Sequence, residues 1–135
     1  MSFAAEVARG LDEGRRLAHE LMVDTCVFRL PSTETVFDEE TLEETPVPGE
    51  IVYDGPCKVQ VRNQQESNPD VAGAVWTVQR TEIHVPVETS TDITVGCTGT
   101  LTTATYDPDL LTQVRVVAIP RKSYATARRL QCEES

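Results

Sequence analysis

"VWTVQRTEIHVPV", Val75–Val87, is the stretch whose pattern settles the class of fold. Val75, Thr77, Gln79, Thr81, Ile83 and Val85 share one face of an extended chain. Trp76, Val78, Arg80, Glu82 and His84 share the other. β-branched and aromatic residues dominate, and Pro86 marks the strand's end or an edge position. The pattern recurs outward in both directions. "DTCVFRL" predicts a first strand, ended by Pro31. "TETVF" and "LEETPV" predict a hairpin across a turn at "DEET". "IVYDGPCKVQVRN" predicts a strand with a turn or bulge at Tyr53–Pro56. "DITVGCTGTLTTATYDPDL" predicts a strand bent at Gly96 and Gly99, then a turn at "DPDL". "TQVRVVAI" and "ATARRLQC" predict two closing strands, with a short helix over "SYATARRLQC" as the alternative for the last.

Ahead of these strands the period changes. Phe3, Val7, Leu11, Ala18 and Leu21 recur at steps of three and four, which predicts an amphipathic helix over residues 2–22. Ser2 is its expected N-cap. Gly10 and Gly14 each lower helix propensity by about 1 kcal/mol relative to Ala, so the helix needs a docking surface. That surface is either its own sheet or a neighbouring subunit. The expected fold class is therefore mainly β: a small antiparallel β-barrel or sandwich of short strands, with one N-terminal amphipathic helix. A chain of 135 residues is read as one domain, 1–135. Its parts are the helix, a barrel over 23–132, and loops at 31–50 and 63–74.

The net charge of −10 argues against non-specific grip on nucleic acid, which needs basic surface to release counterions. The charge is unevenly placed. Seven carboxylates and no base lie between Glu34 and Glu50, whereas Arg121, Lys122, Arg128 and Arg129 crowd the C-terminal end. The acidic run reads either as a solvated hairpin tip or as a partner-facing arm carried by Asp38, Glu39, Glu40, Glu43 and Glu44. The basic residues read as phosphate contacts, as solvated surface, or as the mate of that acidic arm on another copy. Opposite charges at separate places on one chain suit a head-to-tail ring. "QQESNPDVAGA" after Asn63 is a long polar loop, and such loops are usually functional or disordered.

Catalytic chemistry is not written in the chain. It has no GxSxG, HExxH, phosphate-binding or dinucleotide motif. Cys26, Cys57, Cys97 and Cys132 lack zinc spacing and read as small reduced residues on strands. His84 reads as a partnered strand histidine. Asp107, Asp109 and the acidic hairpin do not match an EF-hand loop. No enzyme activity, cofactor or metal is expected. No apolar run approaches the ~18 residues of a membrane span, so no membrane partner is expected. The first residues lack a basic-then-apolar leader, so the chain is expected to stay in the cytoplasm where it is made.

"LMVDTCVF" after an amphipathic helix, "VPGEIVYDGPCKVQ", "YDPDL" and "RKSYATARRLQCEE" together resemble the head-to-tail stopper (head closure) proteins of siphophages that infect actinobacteria. The likeness spans nearly the whole chain. Its most specific element is Tyr53, Gly55, Pro56, Cys57, Lys58, Val59 and Gln60. The resemblance implies a non-enzymatic virion neck protein, made in the host cytoplasm. It would form a ring of copies, commonly twelve and in some rings six, with a head-tail adaptor above and a tail terminator or tail tube below. Phage genomic DNA would pass through the lumen without tight binding. An adaptor or tail-terminator ring protein is the nearest alternative, and an OB-like single-strand-binding barrel the alternative of another class. Loop length and charge nominate Asn63, Gln64, Gln65, Glu66, Asn68 and Asp70 as the channel-facing or gating segment. Phe3, Val7 and Leu11 are nominated to dock on an adjacent ring.

Overall fold

The structure is a computed structural model that describes residues 2–67 and 75–134, with backbone alone for 62–67 and 75–79. It comprises α1 (Phe3–Glu20), β1 (Asp24–Arg29), β2 (Thr35–Asp38), β3 (Glu43–Pro46), β4 (Ile51–Ser67), β5 (Val75–Val85), β6 (Thr98–Thr103), β7 (Gln113–Ala118) and β8 (Arg128–Glu134). Six strands close an antiparallel barrel in the order β1-β4-β5-β8-β7-β6, so β6 returns to β1. Closure removes the free edges that an open sheet would leave. β2 and β3 form a separate two-stranded sheet.

Alternation puts one side of each barrel strand inside. Cys26 and Phe28 of β1, Ile83 and Val85 of β5, Val114 and Val116 of β7, and Leu130 and Cys132 of β8 are fully or almost fully buried. The barrel is thus filled by side chains, as six strands allow little else. Phe28 and Tyr53 meet in a tilted pair with ring centroids 6.4 Å apart. The Tyr53 hydroxyl reaches over Gly55 and donates to the Pro56 carbonyl. A Cβ at Gly55 would lie 3.1 Å from that hydroxyl. The Tyr-x-Gly-Pro-Cys element is therefore a core-building device.

Several expected boundaries shift. Tyr53–Pro56 is no turn: it pairs continuously with β1 inside β4, and the register shift of that pair falls just before it, between Ile51 and Tyr53. Pro56 faces Thr25 of β1, and pairing with β5 begins only at Lys58, so its missing N–H interrupts no second ladder. Gly99 is no bend but a strand residue opposite Phe28. Gly96 does make the bend, with φ +98°. "RRLQCEE" is strand, not helix. The expected loop 63–74 is shorter than its polarity suggested. Asn63, Gln64, Gln65 and Glu66 continue β4 and pair with Gln79, Val78, Thr77 and Trp76. Cross-strand pairing there overrides the poor strand propensity of Asn and Gln. Asn68 and Asp70 lie outside the described residues.

The helix also departs from expectation. Ser2 caps it, its Oγ accepting from the Ala5 amide at 3.2 Å. Yet no residue of α1 is buried. It docks through a polar edge instead. Arg15 Nε donates to the Ala125 carbonyl at 3.1 Å, and Arg15 Nη1 pairs with Glu88 at 3.0 Å. Gly14 permits this approach, because a Cβ there would sit 2.9 Å from Thr126 Cγ2. Arg15→Ala is expected to cost about 1 kcal/mol of fold stability and to speed amide exchange along α1 selectively. Uniform exchange along α1 and the barrel would show that the anchor lies elsewhere. Among the described residues, no helix is long and apolar enough to cross a membrane.

Candidate assembly surfaces

The acidic arm is the β2–β3 hairpin. It leaves the barrel at Leu30 and returns at Glu50, where the Leu30 amide donates to the Glu50 carbonyl at 2.9 Å. Gly49 makes this crossing, since a Cβ there would stand 1.9 Å from the Leu30 carbonyl oxygen. Asp38 organises the tip. Its Oδ1 accepts from the Glu40 amide at 2.9 Å and its carbonyl from the Leu42 amide at 2.8 Å. Every residue of both strands is exposed. Asp38, Glu39, Glu40, Glu43 and Glu44 therefore stand together in solvent, with no ion pair to any described residue. A lone two-stranded hairpin is marginal in water. This one also exposes Val36, Phe37 and Leu42.

The basic residues border the segment 119–127, between β7 and β8. Arg121 and Lys122 are exposed in the segment, and Arg129 is exposed on β8. Together with Glu82 and Gln131 they border a cavity of about 260 Å³. Arg128 behaves differently. It is half-buried, its Nε donates to Ser90 Oγ at 3.0 Å, and Ser90 Oγ donates to the Pro86 carbonyl at 2.6 Å. Burial, and then repulsion from Arg121, hold its pKa below the usual guanidinium range. The four bases are therefore not equivalent. Arg128 braces the turn after β5, and Arg121, Lys122 and Arg129 are available to a partner.

The third surface is apolar. Phe3, Ala4, Val7, Ala8 and Leu11 of α1 enclose, with Tyr124, a shallow groove of about 270 Å³. Sequence reasoning nominated Phe3, Val7 and Leu11 but missed Tyr124, Phe37 and Leu42. Tyr124 and Leu42 both have φ of +59°. This left-handed conformation favours Gly or Asn, so no pattern in the sequence could have signalled it.

Nothing in the described residues arranges a nucleophile. All four cysteines are buried and reduced. Cys26 is raised far above the ordinary thiol range by its hydrogen bond with the Cys57 thiol and by burial, and burial pushes Cys132 up to about 12. His84 Nε2 lies 2.6 Å from Glu82 Oε1 on the same strand. Among the described residues, no group of three or more His, Cys, Asp or Glu is placed to hold a metal ion. No curated protein and no solved structure matches the chain. A family model does match, over residues 14–133, and on that extent the chain belongs to DUF6093, a family of unknown function.

Proposed function

We propose that this chain is a structural subunit of a virion neck: a head-to-tail stopper whose copies form a ring, line or close the DNA channel, and join the filled head to the tail. The observation that carries this reading is the pair of exposed patches of opposite charge, far apart in sequence and with no ion pair among the described residues. Asp38, Glu39, Glu40, Glu43 and Glu44 stand on a projecting hairpin, and Arg121, Lys122 and Arg129 stand beside the barrel. No ion pair joins the two patches among the described residues of one copy. They match when one copy's hairpin meets the next copy's basic segment, which generates a ring if the rotation closes. A barrel filled by Phe28, Tyr53 and their neighbours has no lumen of its own, so a DNA channel must lie between copies. A net charge of −10 per copy would let DNA slide without adhering. The resemblance to stopper proteins supplies the neck, the adaptor and tail neighbours, and a ring of twelve or six.

Within that resemblance, the mainly β fold favours a stopper or terminator over an adaptor, because adaptors tend to be mainly helical. Single-strand binding by an OB-like barrel needs aromatic platforms along a basic groove. Neither cavity beside Arg121 and Lys122 has an aromatic among its described lining residues.

The test is cryo-electron microscopy of intact particles, with symmetry examined rather than imposed. A ring of this chain between adaptor and tail is expected, and its absence from the neck sinks the proposal. The charge reversal Arg121→Glu with Lys122→Glu is expected to cut joined particles by roughly tenfold or more. Adding Glu43→Lys with Glu44→Lys should recover part of the loss. Arg128 is left alone in this experiment because its bond to Ser90 would confuse assembly with folding. Normal yields from the first pair would make these bases simple solvated surface.

A further inference from the structure

We infer that the apolar groove between α1 and Tyr124 receives the tip of the β2–β3 hairpin from a second copy, with Leu42 and Phe37 as the inserted side chains. The inference rests on the reading that copies of this chain associate, and it names the contact that holds them.

Two bulky apolar residues adopt the left-handed conformation, and they fall one on each surface. Leu42 sits at the hairpin tip with φ +59° and is 75% exposed. Tyr124 forms one wall of the groove with φ +59° and is 69% exposed. Gly or Asn would occupy either position with less strain. At Leu42 the left-handed backbone closes the hairpin turn, its amide donating to the Asp38 carbonyl at 2.8 Å, yet neither the Leu42 nor the Tyr124 side chain is buried in its own copy. Strain of this kind clusters at sites whose function needs the side chain.

The two surfaces also match in layout. The hairpin exposes Phe37 on β2 and Leu42 at its tip, in a stretch flanked by Asp38, Glu39, Glu40, Glu43 and Glu44. The groove is an apolar centre of Phe3, Val7, Leu11 and Tyr124, and Tyr124 belongs to the segment that carries Arg121 and Lys122. An apolar core with a charged rim is the usual anatomy of a protein interface. At about 270 Å³ the groove falls below the range of about 300–1,000 Å³ usual for small-molecule sites, so it suits protruding side chains. Hairpin and groove stand exposed together in one copy, so a copy does not fill its own groove. Because the surfaces differ, the contact is head-to-tail.

The experiment is sedimentation velocity on the full chain up to about 1 mM, where weak contacts still register. The variants are Leu42→Asn and Tyr124→Asn. Asn relieves the left-handed backbone, so neither variant should melt below the wild type. Each should weaken self-association by roughly 10- to 100-fold, the value of burying one large apolar side chain. Leu42→Asn keeps its groove and Tyr124→Asn keeps its hairpin. An equal mixture should therefore form dimers that neither variant forms alone, and no larger species. Unchanged association in either variant overturns the inference, as does a matching loss of thermal stability. A wild-type chain that stays monomeric also overturns it, and the groove then belongs to another neck component. The two proposals fail separately. A neck ring insensitive to both variants leaves the function standing and removes this contact. Variant-sensitive association without neck density does the reverse.

Discussion

Gly99→Val is expected to lower the stability of the barrel by about 3 kcal/mol, at the upper end of what overpacking a core costs. The reason is space and not backbone freedom, because among the described glycines only Gly96 has positive φ. Gly99 lies directly opposite Phe28 across the β1–β6 pair. A Cβ at Gly99 would sit 2.5 Å from Phe28 Cε1, 2.8 Å from Cζ and 2.9 Å from Cδ1. The ring has nowhere to retreat, since Phe28 is fully buried and already packs against Tyr53. Equilibrium urea denaturation measures the loss. Phe28→Leu in the same chain shortens the opposing side chain, so the double variant should lose less than the sum of the singles, with a coupling of about 1 kcal/mol or more. Phe28→Ala alone should cost about 3–5 kcal/mol through the cavity it leaves. Additive costs for Gly99→Val and Phe28→Leu would show that the ring is not what the glycine accommodates.

The second large effect is alkaline lability. Burial raises the Cys132 thiol from 9.0 to about 12, and the hydrogen bond with Cys57 followed by burial raises Cys26 further. Burial likewise lifts Tyr53 above its ordinary value of 10.0. In the unfolded chain these thiols ionise near 9.0, while the folded chain keeps their protons. The unfolded state then binds fewer protons, and stability falls as pH rises. The stabilisation is complete below pH 9.0 and is lost as pH climbs towards the folded value of about 12 for Cys132. Each thiol contributes a slope of about 1.4 kcal/mol per pH unit in that window. Urea midpoints measured as a function of pH should therefore drop steeply above 9.0, and less steeply in Cys132→Ala. An identical decline in that variant would assign the effect to other groups. At neutral pH the four thiols should resist a thiol reagent until the chain unfolds, because only the thiolate reacts and all four are buried.

Much of the architecture was legible because local pattern and final environment agree. Alternation in Val75–Val85 and in Gln113–Ala118 named strands, and the barrel buries Ile83, Val85, Val114 and Val116 of them. Ser2 and the three-four spacing named the helix. Legibility failed where one residue type serves two environments. Gly99 looks like a bend and is a space opposite a ring. Asn63 to Glu66 look like loop and are held in a ladder by the strand facing them. Arg128 looks like its three basic neighbours and alone is tied to Ser90.

The candidate surfaces divide the same way. Their charge was visible from composition along the chain, because charge belongs to a residue wherever it is placed. Their apolar centres were not visible, because exposure of Phe37, Leu42 and Tyr124 depends on which face of the fold they occupy. The strand period, the helix period and the split between acidic and basic segments are properties of neighbours in sequence, so order alone specified them. Barrel closure by β6 on β1, the filled interior, the unburied helix and the left-handed Leu42 and Tyr124 arise from contacts between residues far apart in the chain. Those contacts exist only once the strands have paired, and they leave the hairpin and the groove exposed on one fold.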